Sequence, residues 1–289
     1  MKTISCVSGG LLAAWAVAQL SAQAEAPGWS LDPNRLGVSQ RVSTLLGHGI
    51  QDQHGKKIGS ISDFLLDLPN GQVLCALVTA KDPTRVIPVP TTTYSFTIGK
   101  RVEVGVPRDQ FLAAPELPKP QPGATPEPSQ LAPSYRHFRC AEPAAAGSSL
   151  VSAASLIGAS VSGTTGEPLG KVTELLADLQ RGQILYVVID PTPGERPGPK
   201  LYVVPPLIVR MAGAHRVTLP LTRAEFMAGP NYQTEFSVDI ISPSLAANVR
   251  AHFHLPAPAA GPHLDGNPAP VSPAGGSNRE LTQVTGQTR

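Results

Sequence analysis

Cysteine is nearly absent from this 289-residue chain: there are three, and beyond Cys6 only Cys75 and Cys140 remain. Two cysteines cannot build a disulfide framework, so apolar cores must hold the fold. An oxidising compartment would permit one bond between them, but Cys75 sits in an apolar run and reads as a small buried hydrophobe. Aromatic residues are scarce at 5%, and charged residues make up only 15%. The net charge is +2, without a basic run of five. That scatter argues against a nucleic-acid or anionic-lipid surface. No Gly-x-Ser-x-Gly elbow is present and neither cysteine has a reactive context, so nothing supports nucleophilic catalysis.

Proline and glycine, by contrast, are plentiful at 31 and 27 residues, and hydrophobic residues reach 41%. Globular parts diluted by connecting material fit those figures. The first segment reads as a secretory signal peptide. Lys2 supplies the positive start, Val7–Leu20 the apolar stretch and Ala22-Gln23-Ala24 the small-x-small site, with cleavage expected after Ala24. The stretch is short for a membrane span and holds Gly, Ser and Gln. The expected location is periplasmic or extracellular, with no transmembrane span after cleavage.

An internal repeat organises the rest. Leu46-Gly47 matches Ile157-Gly158, and the register then runs without a gap past Gly55/Gly166, Gly59/Gly170, Asp67/Asp178, Gly71/Gly182 and Gln72/Gln183. Four extra residues enter the second copy in the loop Asp190–Lys200. The match resumes at Pro90/Pro205, Arg101/Arg216, Arg108/Arg223 and Phe111/Phe226. Each copy reads as β structure. Asn70-Gly71 and Arg181-Gly182 mark hairpins, and Val73–Val78 and Ile184–Ile189 suit strands buried on both faces. Residues 101–106 and 216–221 alternate as half-buried strands do.

The expected division is a signal peptide at 1–24, an N-terminal extension at 25–41 and a first barrel at 42–114. A Pro/Ala-rich linker follows at 115–150, then a second barrel at 151–229. An extension at 230–254 carries a short helix capped by Ser242 or Ser244, and a disordered tail covers 255–289. The linker prolines predict an extended, semi-rigid spacer that lets two modules engage at once, although Tyr135–Cys140 could dock on a barrel.

The repeated pattern resembles the PRC-barrel family. It reads Leu46-Gly47…Gly55-Lys-Lys-Ile-Gly59-Ser-Ile-Ser-Asp63-Phe-Leu-Leu-Asp67…Gly71 in the first copy. In the second it reads Ile157-Gly158…Gly166-Glu-Pro-Leu-Gly170-Lys-Val-Thr-Glu174-Leu-Leu-Ala-Asp178…Gly182. Val86–Pro90 and Tyr202–Pro205 look like the family's downstream strand. The resemblance covers about 42–114 and 153–229 and implies an all-β fold: two small six-stranded PRC-type β-barrels in tandem, joined by the Pro-rich linker. Known settings of the module, the H subunit of the photosynthetic reaction centre and a ribosome maturation factor, imply assembly and interaction roles.

Candidate chemistry is thin. Gly163–Lys171 lacks the phosphate-loop glycine, since Thr165 stands there, and Val172 replaces the hydroxyl residue after lysine. Asp63, Asp67, Glu174 and Asp178 could be carboxylate pairs for proton transfer, but strand-end and turn carboxylates accepting backbone hydrogen bonds explain them better. His137 near Cys140, and His252, His254 and His263, offer a sparse metal set without organised spacing. Arg101, Arg108, Arg216 and Arg223 line either a shared polar surface or guarded strand edges. The expectation is a non-enzymatic interaction or envelope-assembly module without cofactor or metal, binding protein partners and no nucleic acid. A periplasmic small-ligand or metal sensor and an RNA-linked role are the alternatives.

Overall fold

The computed structural model describes residues 39–81, 84–97, 101–117, 125–142, 149–191, 200–233 and 242–255. The targeting segment, His263, most of the Asp190–Lys200 loop and the tail after Leu255 lie outside them. Among the described residues each module contributes six strands in one order. In the first, Tyr94–Thr97 pairs with Arg101–Val104, which runs parallel to Gly49–Gln51; Lys57–Asp67, Gln72–Lys81 and Thr84–Pro90 complete the sheet. In the second, the same path runs through Arg210–Gly213, Arg216–Thr218, Ser160–Ser162, Pro168–Asp178, Gln183–Asp190 and Lys200–Val204. The body is all-β, with short helices at its margins, as the repeat implies.

Matched bulges curl each sheet. The long strand of the first module shifts register between Ile61 and Asp63, and that of the second between Val172 and Glu174. The extra residue, Ser62 or Thr173, bends the strand and sharpens its twist. Its hydroxyl donates to the neighbouring strand, to Leu77 O at 2.9 Å and Val188 O at 3.4 Å respectively. Glycine is required where strands cross closely. A Cβ on Gly59 would lie 2.6 Å from Thr79 O, and one on Gly170 would lie closer still to Asp190 O.

The core is shared. One continuous apolar cluster takes in Val42, Phe64 and Val78 of the first module with Ala153, Leu175 and Val187 of the second. The opposite faces of the central strands are buried as well. In the first module Leu65, Leu74 and Cys75 are covered by Leu117, Leu131 and Tyr135. In the second Leu176, Leu185, Tyr186 and Val188 are covered by Val249 and flanking residues. The expectation that both central strands are buried on two faces is met.

The segment between the modules departs from its expected form. Proline density predicts an extended spacer, yet Pro128–Gln130 forms a 3-10 turn and Ala132–His137 a helix on the first module. Leu131, Tyr135 and Phe138 recur at helical spacing and all three are buried, so packing overrides proline content. Pro133 falls in the first turn, where its missing N–H costs nothing. The tyrosine also donates its hydroxyl to Leu74 O at 2.6 Å. In the C-terminal helix Pro243–His252, Ser242 is the cap, its hydroxyl accepting from Leu245 N at 3.2 Å.

Both helices end alike. Cys140 N donates to Tyr135 O at 2.9 Å and Leu255 N to Arg250 O at 3.0 Å. The preceding residues, Arg139 and His254, adopt left-handed φ values of 57° and 50°. This is the Schellman closure, here formed without glycine. The duplication therefore extends past the barrels, aligning His137-Phe138 with His252-Phe253.

Candidate functional site

The matched carboxylates that the repeat singles out gather where the modules meet. The contact begins at the hairpins. Gly71 and Gly182 take φ values of 62° each, the left-handed turn that glycine permits. Asp67 anchors one turn by accepting from Asn70 N and Nδ2, at 3.2 and 2.7 Å. Asp178 anchors the other by accepting from Arg181 N and Nη1, at 3.1 and 3.0 Å. The strands leaving these turns pair with each other at Gln72 and Gln183. Val73 N donates to Gly182 O and Ile184 N to Gly71 O, both at 2.8 Å, so the junction has local two-fold symmetry.

Exchanged arms extend that symmetry. Gln40-Arg41, at the start of the first module, pairs with Leu176-Ala177 of the second. Val151-Ser152, at the start of the second, pairs with Leu65-Leu66 of the first. Each arm is held by a carboxylate just beyond the bulge of the opposite long strand. Glu174 accepts from Ser43 N at 3.0 Å, Arg41 Nε at 3.1 Å and the Ser43 hydroxyl. Asp63 accepts from Ala154 N at 3.0 Å and the Ser152 hydroxyl. The bulge re-aims these side chains across the seam.

The four carboxylates thus do the backbone-binding work expected of them, in two distinct tasks. Asp67 and Asp178 close their own turns, whereas Asp63 and Glu174 hold the opposite module. Sequence reasoning missed Arg41, Ser43 and Ser152. Arg41 and Ser152 occupy matched positions with unlike side chains, so only the carboxylates that receive them carry a repeat signal.

The matched arginines act through different groups. Arg223 donates its backbone N–H to Glu167 at 3.1 Å and its guanidinium to Pro168 O at 2.6 Å. Arg108 donates its backbone N–H to Asp52. Arg216 is exposed, and the side chain of Arg101 lies outside the description. Among the histidines, His137 Nε2 lies 2.8 Å from Gln110 O, and His252 meets Phe253 edge-on at 4.8 Å. Among the described residues no three His, Cys, Asp or Glu side chains come together to hold a metal ion. Cys75 and Cys140 are free thiols. Burial drives the Cys75 thiol far above its ordinary range, which leaves it neutral and inert.

Three carboxylates at turns and a helix start sit below the ordinary range. For Asp52, desolvation acts upward but is outweighed by the backbone N–H groups of Lys56 and His54 and by the His54 ring. For Glu167 the Thr165 hydroxyl leads, and for Glu225 the backbone N–H and hydroxyl of Thr222. A carboxylate depressed in the folded state stabilises above its unfolded pKa and loses that contribution as pH falls through its folded pKa. Thermal stability is therefore expected to hold above about pH 5 and to decline as pH falls below the ordinary carboxylate range of about 4. Melting temperatures across that range check it. In an Asp52→Asn/Glu167→Gln/Glu225→Gln variant, the decline should be shallower.

Beside the junction lies a cavity of about 190 Å³, floored by Val73 and Leu74, walled by Tyr135 and rimmed by Gln72, Thr92 and Arg181. No helix among the described residues is long and apolar enough to cross a membrane.

No curated protein shows significant similarity to the chain. The family model of the PRC-barrel domain matches residues 39–110 and 149–225. Those two regions take in just over half of the sequence, and each covers one module and its arm. With its six-stranded sheets, spaced glycines and duplicated long hairpin, the chain belongs to the PRC-barrel family, as two copies in tandem.

Proposed function

We propose that this protein is an exported, non-enzymatic interaction module of the cell envelope, whose paired barrels engage a protein partner as one body. The observation that carries the reading is the reciprocal seam. Two matched carboxylates of the repeat are engaged in joining the modules, Glu174 to Ser43 and Asp63 to Ala154. The body so formed is a platform for contact. Assembly roles elsewhere in the family and the N-terminal targeting pattern support the same reading.

This reading replaces the idea of two barrels acting independently across a spacer. Bivalent binding through a linker requires modules that move separately, and these share a core and a sheet.

The test is in-cell crosslinking of the tagged full-length protein in its native host, followed by fractionation and mass spectrometry. The expected result is recovery from the envelope fraction, loss of residues 1–24, and one dominant envelope protein crosslinked. An Asp63→Ala/Glu174→Ala variant, which loosens the seam, should capture that partner several-fold less. Recovery from the cytoplasm with the N-terminus intact, or no enriched protein, would overturn the proposal.

A further inference from the structure

The two copies differ at the cavity beside the junction. Position for position, Val73 and Leu74 correspond to Ile184 and Leu185, Thr92 to Leu207, and Cys140 to Leu255. In the second module Leu207 and Leu255 both pack against the outer apolar cluster that contains Leu185. In the first module two smaller residues replace them, and the Thr92 hydroxyl meets the Cys140 thiol at 3.5 Å. Thr92, Val73 and Leu74 are among the residues lining the cavity of about 190 Å³. Where the second copy packs leucines on its outer cluster, the first has smaller residues, and Thr92 lines a cavity.

We propose that this cavity is a binding site for a leucine-sized aliphatic side chain presented by a partner protein. The inference deepens the interaction reading and rests on it for the nature of the partner. The second module supplies the argument for the occupant, since leucine packs there on an equivalent floor. An engineered apolar cavity of about 150 Å³ accepts a molecule as large as benzene, so the volume is ample for one branched side chain. Val73, Leu74 and Tyr135, at 2%, 3% and 6% exposure, line the site from already ordered elements. The cavity is therefore preformed, and little ordering cost opposes binding. Around it the exposed side chains of Gln72, Thr92 and Arg181 give the rim the polarity that an incoming peptide backbone needs.

The experiment titrates the full-length protein with N-acetyl-leucinamide, followed by amide NMR, with N-acetyl-alaninamide as comparison. Saturable shifts are expected at Val73, Leu74, Thr92 and Gly182. Affinity for the leucine probe should exceed that for the alanine probe about tenfold, because three further carbons are partly buried. A Thr92→Leu/Cys140→Leu variant rebuilds the arrangement of the second module. It should keep its fold, melt at the same temperature or higher, and lose the shifts. Absence of saturable shifts in the unmodified protein, equal affinity for the two probes, or shifts undiminished in the variant would each overturn the proposal. If crosslinking still captures an envelope partner while the probe does not bind, the cavity inference alone fails. If the probe binds and no protein is captured in cells, the partner half of the proposal fails with the interaction reading, and the aliphatic preference stands.

Discussion

Replacing Glu174 with alanine is expected to cost about 3 kcal/mol of folding stability, although the residue lies outside the apolar core. The carboxylate is 4% exposed. It accepts from Ser43 N, the Ser43 hydroxyl, Arg41 Nε and, within its own strand, Leu175 N at 2.9 Å. Truncation would strand backbone donors at a buried seam, and unmet donors cost more than a hydrogen bond contributes. The Arg41 pairing adds little, since that side chain is 52% exposed and water screens it. Asp63→Ala, which lacks a guanidinium partner, should cost about 2 kcal/mol. Urea titrations check both values. The midpoint should fall with the slope unchanged, and a loss below about 1 kcal/mol for Glu174→Ala would show that the arms do not hold the modules together.

Phe64→Ala is expected to destabilise the second module as much as the first. The ring is 1% exposed within the cluster that runs through both modules. Deleting it should cost about 4 kcal/mol through lost burial and the cavity left behind. Because the core is continuous, one transition is expected, and amide exchange at Val187 and Ile189 should quicken in proportion to that at Val78 and Ala80. If Val187 and Ile189 keep their protection while Val78 loses it, the modules unfold separately and the shared core is not energetically coupled.

What the sequence disclosed follows from how each feature is encoded. Strand faces and turns depend on local periodicity and on glycines such as Gly71 and Gly182, whose φ values few other residues adopt. The arms were illegible because pairing of Arg41 with Leu176 is a long-range event between unlike sequences. The helix at Ala132–His137 was obscured by prolines, which lower helix propensity while leaving first-turn positions unaffected. Asp52 and Glu167 show a subtler limit. They occupy non-equivalent positions, yet each accepts the backbone N–H of a matched arginine, Arg108 or Arg223. Comparison position by position cannot find a task that has moved to a different residue. The cavity was hidden for a related reason. Thr92 and Cys140 have no motif, and their meaning appears only beside the leucines that fill their places in the second copy.

The exchanged arms also set the order in which the chain can complete itself. Ser152 follows Asp63 by 89 residues, and Glu174 follows Arg41 by 133. At synthesis rates of about 5–20 residues per second, roughly 4–18 s separate the emergence of Asp63 from that of Ser152. Throughout that interval the Leu65–Leu66 edge awaits its strand, an apolar backbone edge of the kind on which chains mispair. A ribosome stalled before Ser152 emerges would leave the first module with its sheet open, so the first barrel is not closed until the second has begun to be made.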